Sequence, residues 1–126
     1  TARELAAYDG RNGDAVLAGL LAARNELQRR EEVAEARKSL PGIAARLAAA
    51  PSAEVLLEHV AALVVLEELG PALESARKLL AVEPKHAVAG MIVEELTRPD
   101  ARDKAAARER VTLRWMRINA GASASR

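Results

Sequence analysis

The chain has 126 residues, with 19 lysines and arginines against 18 acids and no cysteine. This length is enough for one domain with a core of its own. The near-neutral charge excludes a general electrostatic attraction to nucleic acid, and the lack of cysteine excludes disulfides and thiolate metal sites. Half of the residues are apolar but only 2% are aromatic. Alanine, leucine, glutamate and arginine predominate, and these residues favour helix over strand.

Helical spacing of apolar residues predicts seven helices and no strand. Proline disfavours the helical conformation of the residue before it, so Pro41 is expected to end a helix at Leu40. Gly70 followed by Pro71 is typical of one helix ending and the next beginning. The predicted helices cover residues 2–9, 15–39, 41–50, 53–69, 71–82, 86–97 and 101–119.

Small polar residues mark the expected beginnings of several helices. Asp14, Ser52 and Asp100 each precede a predicted helix and are good N-caps, because their side-chain oxygens accept from free backbone N–H groups. Residues 10–13 are predicted to form a glycine-rich turn. We expect a single helical domain over residues 1–120 and a flexible C-terminal tail over 121–126. Because the sequence starts at Thr1 rather than Met, we also expect the domain to be part of a larger protein or assembly.

The middle of the chain resembles a tetratricopeptide repeat. Pro51 and Pro84 are 33 residues apart, and a period in the low thirties with two helices per period is typical of helix-hairpin arrays. Within residues 54–85, Ala72 falls at the family's small position on the second helix and Pro84 at its closing proline. Ala76 and Leu79 depart from the pattern, where a large and a small residue are usual. The first-helix pattern of large, apolar, small and large residues is matched by Leu57, Val60, Ala61 and Val64.

That resemblance implies an α-solenoid of three to four helix pairs and a role as a protein-binding scaffold or adaptor. A generic helical solenoid or bundle remains the alternative architecture. The alternative function is that of a self-associating regulatory or assembly bundle whose basic C-terminal helix contacts an acidic partner, a membrane surface or nucleic acid. If the repeat register holds, the first-helix positions left over from the core face a binding groove. These candidate partner-binding residues are Val55, Glu58, Ala62 and Val65.

The last predicted helix offers a second candidate surface. Its apolar residues Val111, Trp115 and Ile118 share one face, and arginines run beside them at the same spacing. The helix either caps the helical array or binds an acidic partner, a like subunit, a membrane surface or nucleic acid. Nucleic acid is disfavoured because aromatic residues for base stacking are nearly absent. The candidate basic residues are Arg110, Arg114 and Arg117.

No motif in the chain indicates catalysis or a bound cofactor. His59 lies on the most apolar helix, where an imidazole paired with a carboxylate would titrate near neutrality, but no second ligand lies at metal spacing from it. His86 follows Pro84 at the start of a predicted helix and is expected to be structural or solvated. We therefore expect no enzyme activity, no metal, no cofactor and no small-molecule substrate. The expected partner is another protein or a like subunit, with membrane contact less favoured. The compartment is left open, with the cytoplasm favoured.

Overall fold

A computed structural model describes residues 10–124 of the chain, and within this range all the regular secondary structure is helical. The all-α class is therefore confirmed, although the described range contains five α-helices and one short 3-10 helix. The predicted helix over 2–9 lies outside the described residues. The helices are α1 (Gly10–Ala49), α2 (Ala53–Val65), α3 (Leu69–Val82), α4 (Ala87–Leu96), the 3-10 helix Pro99–Arg102 and α5 (Lys104–Ala124).

The predicted break at Pro41 is wrong, because α1 continues through this residue. Proline removes one backbone N–H and crowds the preceding turn, but it does not forbid a helix whose flanks are held by other contacts. Leu40 packs against the main core cluster and Leu47 against a second cluster, so tertiary contacts hold the backbone on both sides of Pro41. The predicted turn over residues 10–13 is also helical.

The turn between α2 and α3 comes earlier than the sequence predicts. The backbone N–H of Glu68 donates to Leu63 O at 2.9 Å and that of Glu67 to Val64 O at 3.0 Å. Glu67 has a φ of 58°, so it takes the left-handed position that usually favours glycine in this type of helix ending. Gly70 and Pro71 consequently lie in the first turn of α3, where proline costs no intrahelical hydrogen bond.

Polar side chains cap the beginnings of α2 and α5. Ser52 Oγ accepts from the backbone N–H of Val55 at 3.2 Å, which confirms the predicted cap of α2. The last helix begins later than predicted, because Pro99–Arg102 form the 3-10 helix. Its cap is Asp103 rather than Asp100, and Asp103 Oδ1 accepts from the backbone N–H of Ala106 at 3.2 Å. The helix continues to Ala124, past Gly121.

The chain divides into two compact units, residues 1–34 and 35–126, with the boundary inside α1. In the first unit the described side chains are exposed except for the half-buried Val33. The second unit holds residues 35–49 of α1 and all the later helices. The single-domain expectation for residues 1–120 stays a prediction.

The second unit holds the hydrophobic core. In it α2 packs on α3, α3 on α4 and α4 on α5, so each helix contacts the next in chain order. Small side chains in the core let the helix backbones approach closely, in agreement with the alanine-rich composition. The fully buried alanines are Ala72, Ala76, Ala89 and Ala107, and the largest fully buried side chains are Leu79, Ile92, Val60 and Val111.

Candidate functional site

The four candidate groove residues on α2 do not form one accessible surface. Val55 is only 8% exposed and Ala62 only 7%. Glu58 is exposed, and its Oε2 lies 2.9 Å from Arg46 Nη1 on α1, while Val65 is half-buried. Only Glu58 and part of Val65 are therefore open to a partner within the described chain.

The basic face of α5 is largely occupied by contacts within the second unit. Arg110 Nε donates to Glu95 Oε2 at 3.2 Å, and Arg114 Nη1 donates to Glu95 Oε1 at 2.8 Å. Arg117 is exposed. On the adjoining face of the helix Val111 is fully buried, and Trp115 and Ile118 pack against the same cluster. The apolar face that the sequence predicted is thus in the core, and two of the three candidate arginines bind an internal carboxylate.

Glu95 is the centre of this charged cluster. Its side chain is 5% exposed, and a third guanidinium, that of Arg98, lies 3.3 Å from Oε2. The hydrogen bond from Arg114 lowers the pKa of Glu95 most, and the hydrogen bond from Arg110 and the charge of Arg98 lower it further against the opposing effect of burial. Arg98 also binds both carboxylate oxygens of Asp100 at 3.0 Å. The cluster joins α4 to α5 through charge-assisted hydrogen bonds, and Glu95 stays ionised with both oxygens engaged.

Glu95 was not among the predicted site residues, although the sequence contains a signal for its burial. Glu95 lies three residues after Ile92 and four after Met91, and both of these are on the buried face of α4. An acid at such a position requires cationic partners, because an unpaired carboxylate is costly to bury. The three arginines supply that charge.

His59 contacts a hydroxyl rather than the carboxylate that the sequence suggested. Its Nδ1 lies 2.9 Å from Ser75 Oγ, across the α2–α3 interface. Burial lowers the pKa of His59, and the charge of Lys78 lowers it further. Ser75 is itself buried, so its hydroxyl is inaccessible to a substrate. The arrangement stabilises the helix hairpin and offers no nucleophile.

The lowered pKa of His59 predicts a loss of stability in mild acid. A histidine in the unfolded chain binds its proton below a pH of about 6.5, while folded His59 still resists protonation. The free energy of unfolding should therefore fall as pH decreases from 8 to 5.5, and should fall less in His59→Gln, which cannot titrate. Urea unfolding at the two pH values measures this difference. An equal fall in both proteins would show that His59 does not contribute.

An exposed apolar surface lies on the first unit, and we call it the N-terminal stripe. Its five large side chains are between 50% and 64% exposed. Their spacing is helical, and the sequence identified this periodicity but not its exposure. Scattered exposed leucines are ordinary, whereas several on one helical segment form a patch typical of an interaction surface. The members are Val16, Leu17, Leu20, Leu21 and Leu27.

Neither a metal site nor a membrane span emerges from the part of the chain that the structure describes. No group of three or more histidine, cysteine, aspartate or glutamate side chains is arranged there to hold a metal ion. No helix in the same part combines the length and apolar character that crossing a membrane requires. The N-terminal stripe and the charged cluster around Glu95 are therefore the two features that call for an explanation.

Comparison with known proteins leaves the chain without an assigned relative. No protein-family model, no curated protein and no solved structure matches it significantly.

Proposed function

We propose that this chain is a protein-interaction module that binds its partner through the N-terminal stripe. The carrying observation is that the stripe's large apolar side chains are at least half exposed along α1. Burial of apolar surface drives most protein association. Most helical stability in proteins comes from the packing of an amphipathic face, so a partner that covers this face would also stabilise the helix of the first unit.

We further propose a tetratricopeptide-like scaffold for the second unit. The order in which the helices pack supports this proposal, since α2 packs on α3, α3 on α4 and α4 on α5, as in a helix-hairpin array. The length of α1 and its passage through Pro41 depart from that pattern. The predicted groove is only partly accessible, so the proposed binding surface moves to the N-terminal stripe.

The alternative function, a bundle that self-associates and contacts an acidic partner, membrane surface or nucleic acid through α5, is supported only in part. Arg110 and Arg114 are bound to Glu95, so they are poorly placed to provide that contact. Self-association remains compatible with the N-terminal stripe. We assign no catalytic step, because Ser75 is buried and Glu95 already binds three guanidinium groups.

The proposal is tested by placing a photoreactive amino acid on the stripe. The protein with the label at Leu17 is irradiated in cells that normally produce it, and adducts are identified by mass spectrometry. The matched control carries the label at Arg29, which is exposed on another face of the same helix. We expect Leu17 to give a defined protein adduct, either another protein or a second copy of the chain, and Arg29 to give none.

Binding measurements then decide whether the stripe is responsible. Calorimetry with the purified partner from the adduct should show that Leu17→Glu raises the dissociation constant by at least about tenfold. Arg29→Glu should leave the dissociation constant close to that of the original protein. Absence of any protein adduct from Leu17, or equal effects of the two substitutions, would remove the proposal.

A further inference from the structure

Four residues of the first unit lie along one line of the helix. Val16, Leu20, Ala23 and Leu27 recur at intervals of four, three and four residues, which is the spacing of a two-helix seam. Each of these side chains is exposed. The seam therefore has the form of one half of a helix–helix contact.

The seam is complementary to itself when two copies run antiparallel. With the two-fold axis between positions 21 and 22, Leu20 lies opposite Ala23 of the second copy and Val16 lies opposite Leu27 of the second copy. A large side chain thus meets a small one in the inner layers. Such alternation lets two helices approach closely without clashes or voids.

The charges beside the seam favour the same direction. In the antiparallel pair, a residue beside the seam meets a residue on the same flank of the second copy. Arg24 meets Leu17 and Glu26 meets Gly19 of the second copy, so no like charges meet. A parallel pair would set Arg30 against itself in the seam and Glu26 beside Glu31 of the second copy, and like charges there are destabilising.

The charge balance also argues against other partners. Residues 16–34 contain three arginines and three glutamates, so no net field selects a strongly acidic or basic protein. Helices that lie on anionic membranes are rich in lysine and arginine on their polar face, and this segment has no such excess. A copy of the same segment satisfies both the shape and the charge pattern.

We infer that this seam, which shares Val16, Leu20 and Leu27 with the N-terminal stripe, pairs antiparallel with the same seam of a second copy of the chain and makes the chain a homodimer. This rests on the proposed function and names its partner. The seam from Val16 to Leu27 is roughly 17 Å long at 1.5 Å per residue. An interface built on so short a seam belongs to the small, weak class, so the dimer should dissociate on dilution.

Sedimentation equilibrium of the chain from about 1 µM to 1 mM tests the pairing. We expect a reversible monomer–dimer equilibrium whose dissociation constant rises by at least about tenfold in Leu20→Glu. Leu113→Glu is the matched control, since Leu113 is also an exposed leucine but lies on α5, and it should leave the equilibrium unchanged. Circular dichroism confirms that both variants keep the folded second unit.

The lack of natural cysteine allows a direct test of direction. Val16→Cys and Leu27→Cys proteins are mixed and oxidised under mild conditions. The antiparallel pair predicts a mixed disulfide in excess of the statistical proportion that random pairing of equal amounts gives, whereas a parallel pair predicts homodisulfides in excess of theirs.

A monomer at every concentration, a dimer indifferent to Leu20→Glu, or a mixed disulfide at or below its statistical proportion would each overturn the inference. If the chain is monomeric while the Leu17 label captures a different protein, the inference fails and the proposed function stands. If the Leu17 label captures nothing and the chain is monomeric, both fail.

Discussion

Replacing Glu95 by alanine should lower the free energy of unfolding of the second unit by roughly 3 kcal/mol. The substitution leaves three guanidinium groups, on Arg98, Arg110 and Arg114, without their shared buried carboxylate. Removing one partner of a buried charge pair is costly because the other charge stays desolvated. The expected cost is low for a broken buried charge pair, because the three arginine side chains are between 28% and 46% exposed and water screens part of their mutual repulsion.

The matched control is the neighbouring acid. Glu94 also contacts Arg114, at 3.3 Å, but its side chain is 68% exposed, so Glu94→Ala should cost less than about 1 kcal/mol. Glu95→Gln keeps the size of the side chain and should retain most of the loss, since the missing charge is its cause. Urea unfolding followed by the fluorescence of Trp115, which packs on this core, reports the second unit specifically. Equal costs for Glu94→Ala and Glu95→Ala would show that the cluster does not stabilise the fold.

The pH dependence of the same cluster has a definite sign. The pKa of folded Glu95 is lowered by its arginine partners, so its stabilisation is fully present above the pKa of an unfolded glutamate, about 4.3. It is lost as pH falls below that value and through the lower folded pKa. The stability difference between the original protein and Glu95→Ala should therefore shrink below pH 4.3.

The parts of the fold that local chemistry determines were predictable from the sequence. Composition and apolar spacing predicted the all-α class, the Ser52 side chain marks the beginning of α2, and the spacing of Val111, Trp115 and Ile118 predicted their packing. In each case the determining atoms lie within about two turns of helix, where the sequence specifies the geometry directly.

The remaining features depend on contacts distant in sequence. Pro41 is compatible with ending a helix or with continuing it, and the packing of Leu40 and Leu47 decides the outcome. The position of the α2–α3 turn depends on Glu67 adopting a left-handed backbone, for which glycine is the usual signal. Sequence spacing likewise identifies an amphipathic face but not whether another element covers it, and so the exposure of the N-terminal stripe could not be predicted.

Leu79→Ala should have the largest effect of any single truncation considered for this chain, a loss of about 3–4 kcal/mol in the free energy of unfolding. Leu79 is 0% exposed. It belongs to the cluster with Leu56 and Ala89, and so connects α3 to the helices on either side of it. Truncation removes the transfer free energy of the buried side chain and leaves a cavity between three helices that cannot all close on it.

Leu113→Ala provides the control, because it makes the same chemical change at a side chain that is 49% exposed. Its cost should stay within about 0.5 kcal/mol, since alanine is also the better helix former. The comparison bears on the repeat resemblance as well, because position 79 is small in the tetratricopeptide pattern and large here. If Leu79→Ala were as mild as Leu113→Ala, position 79 would tolerate the small residue that the pattern expects. A large difference means that α3 depends on this leucine, and that any tetratricopeptide-like scaffold in this chain packs its second helix by a different distribution of side-chain volume.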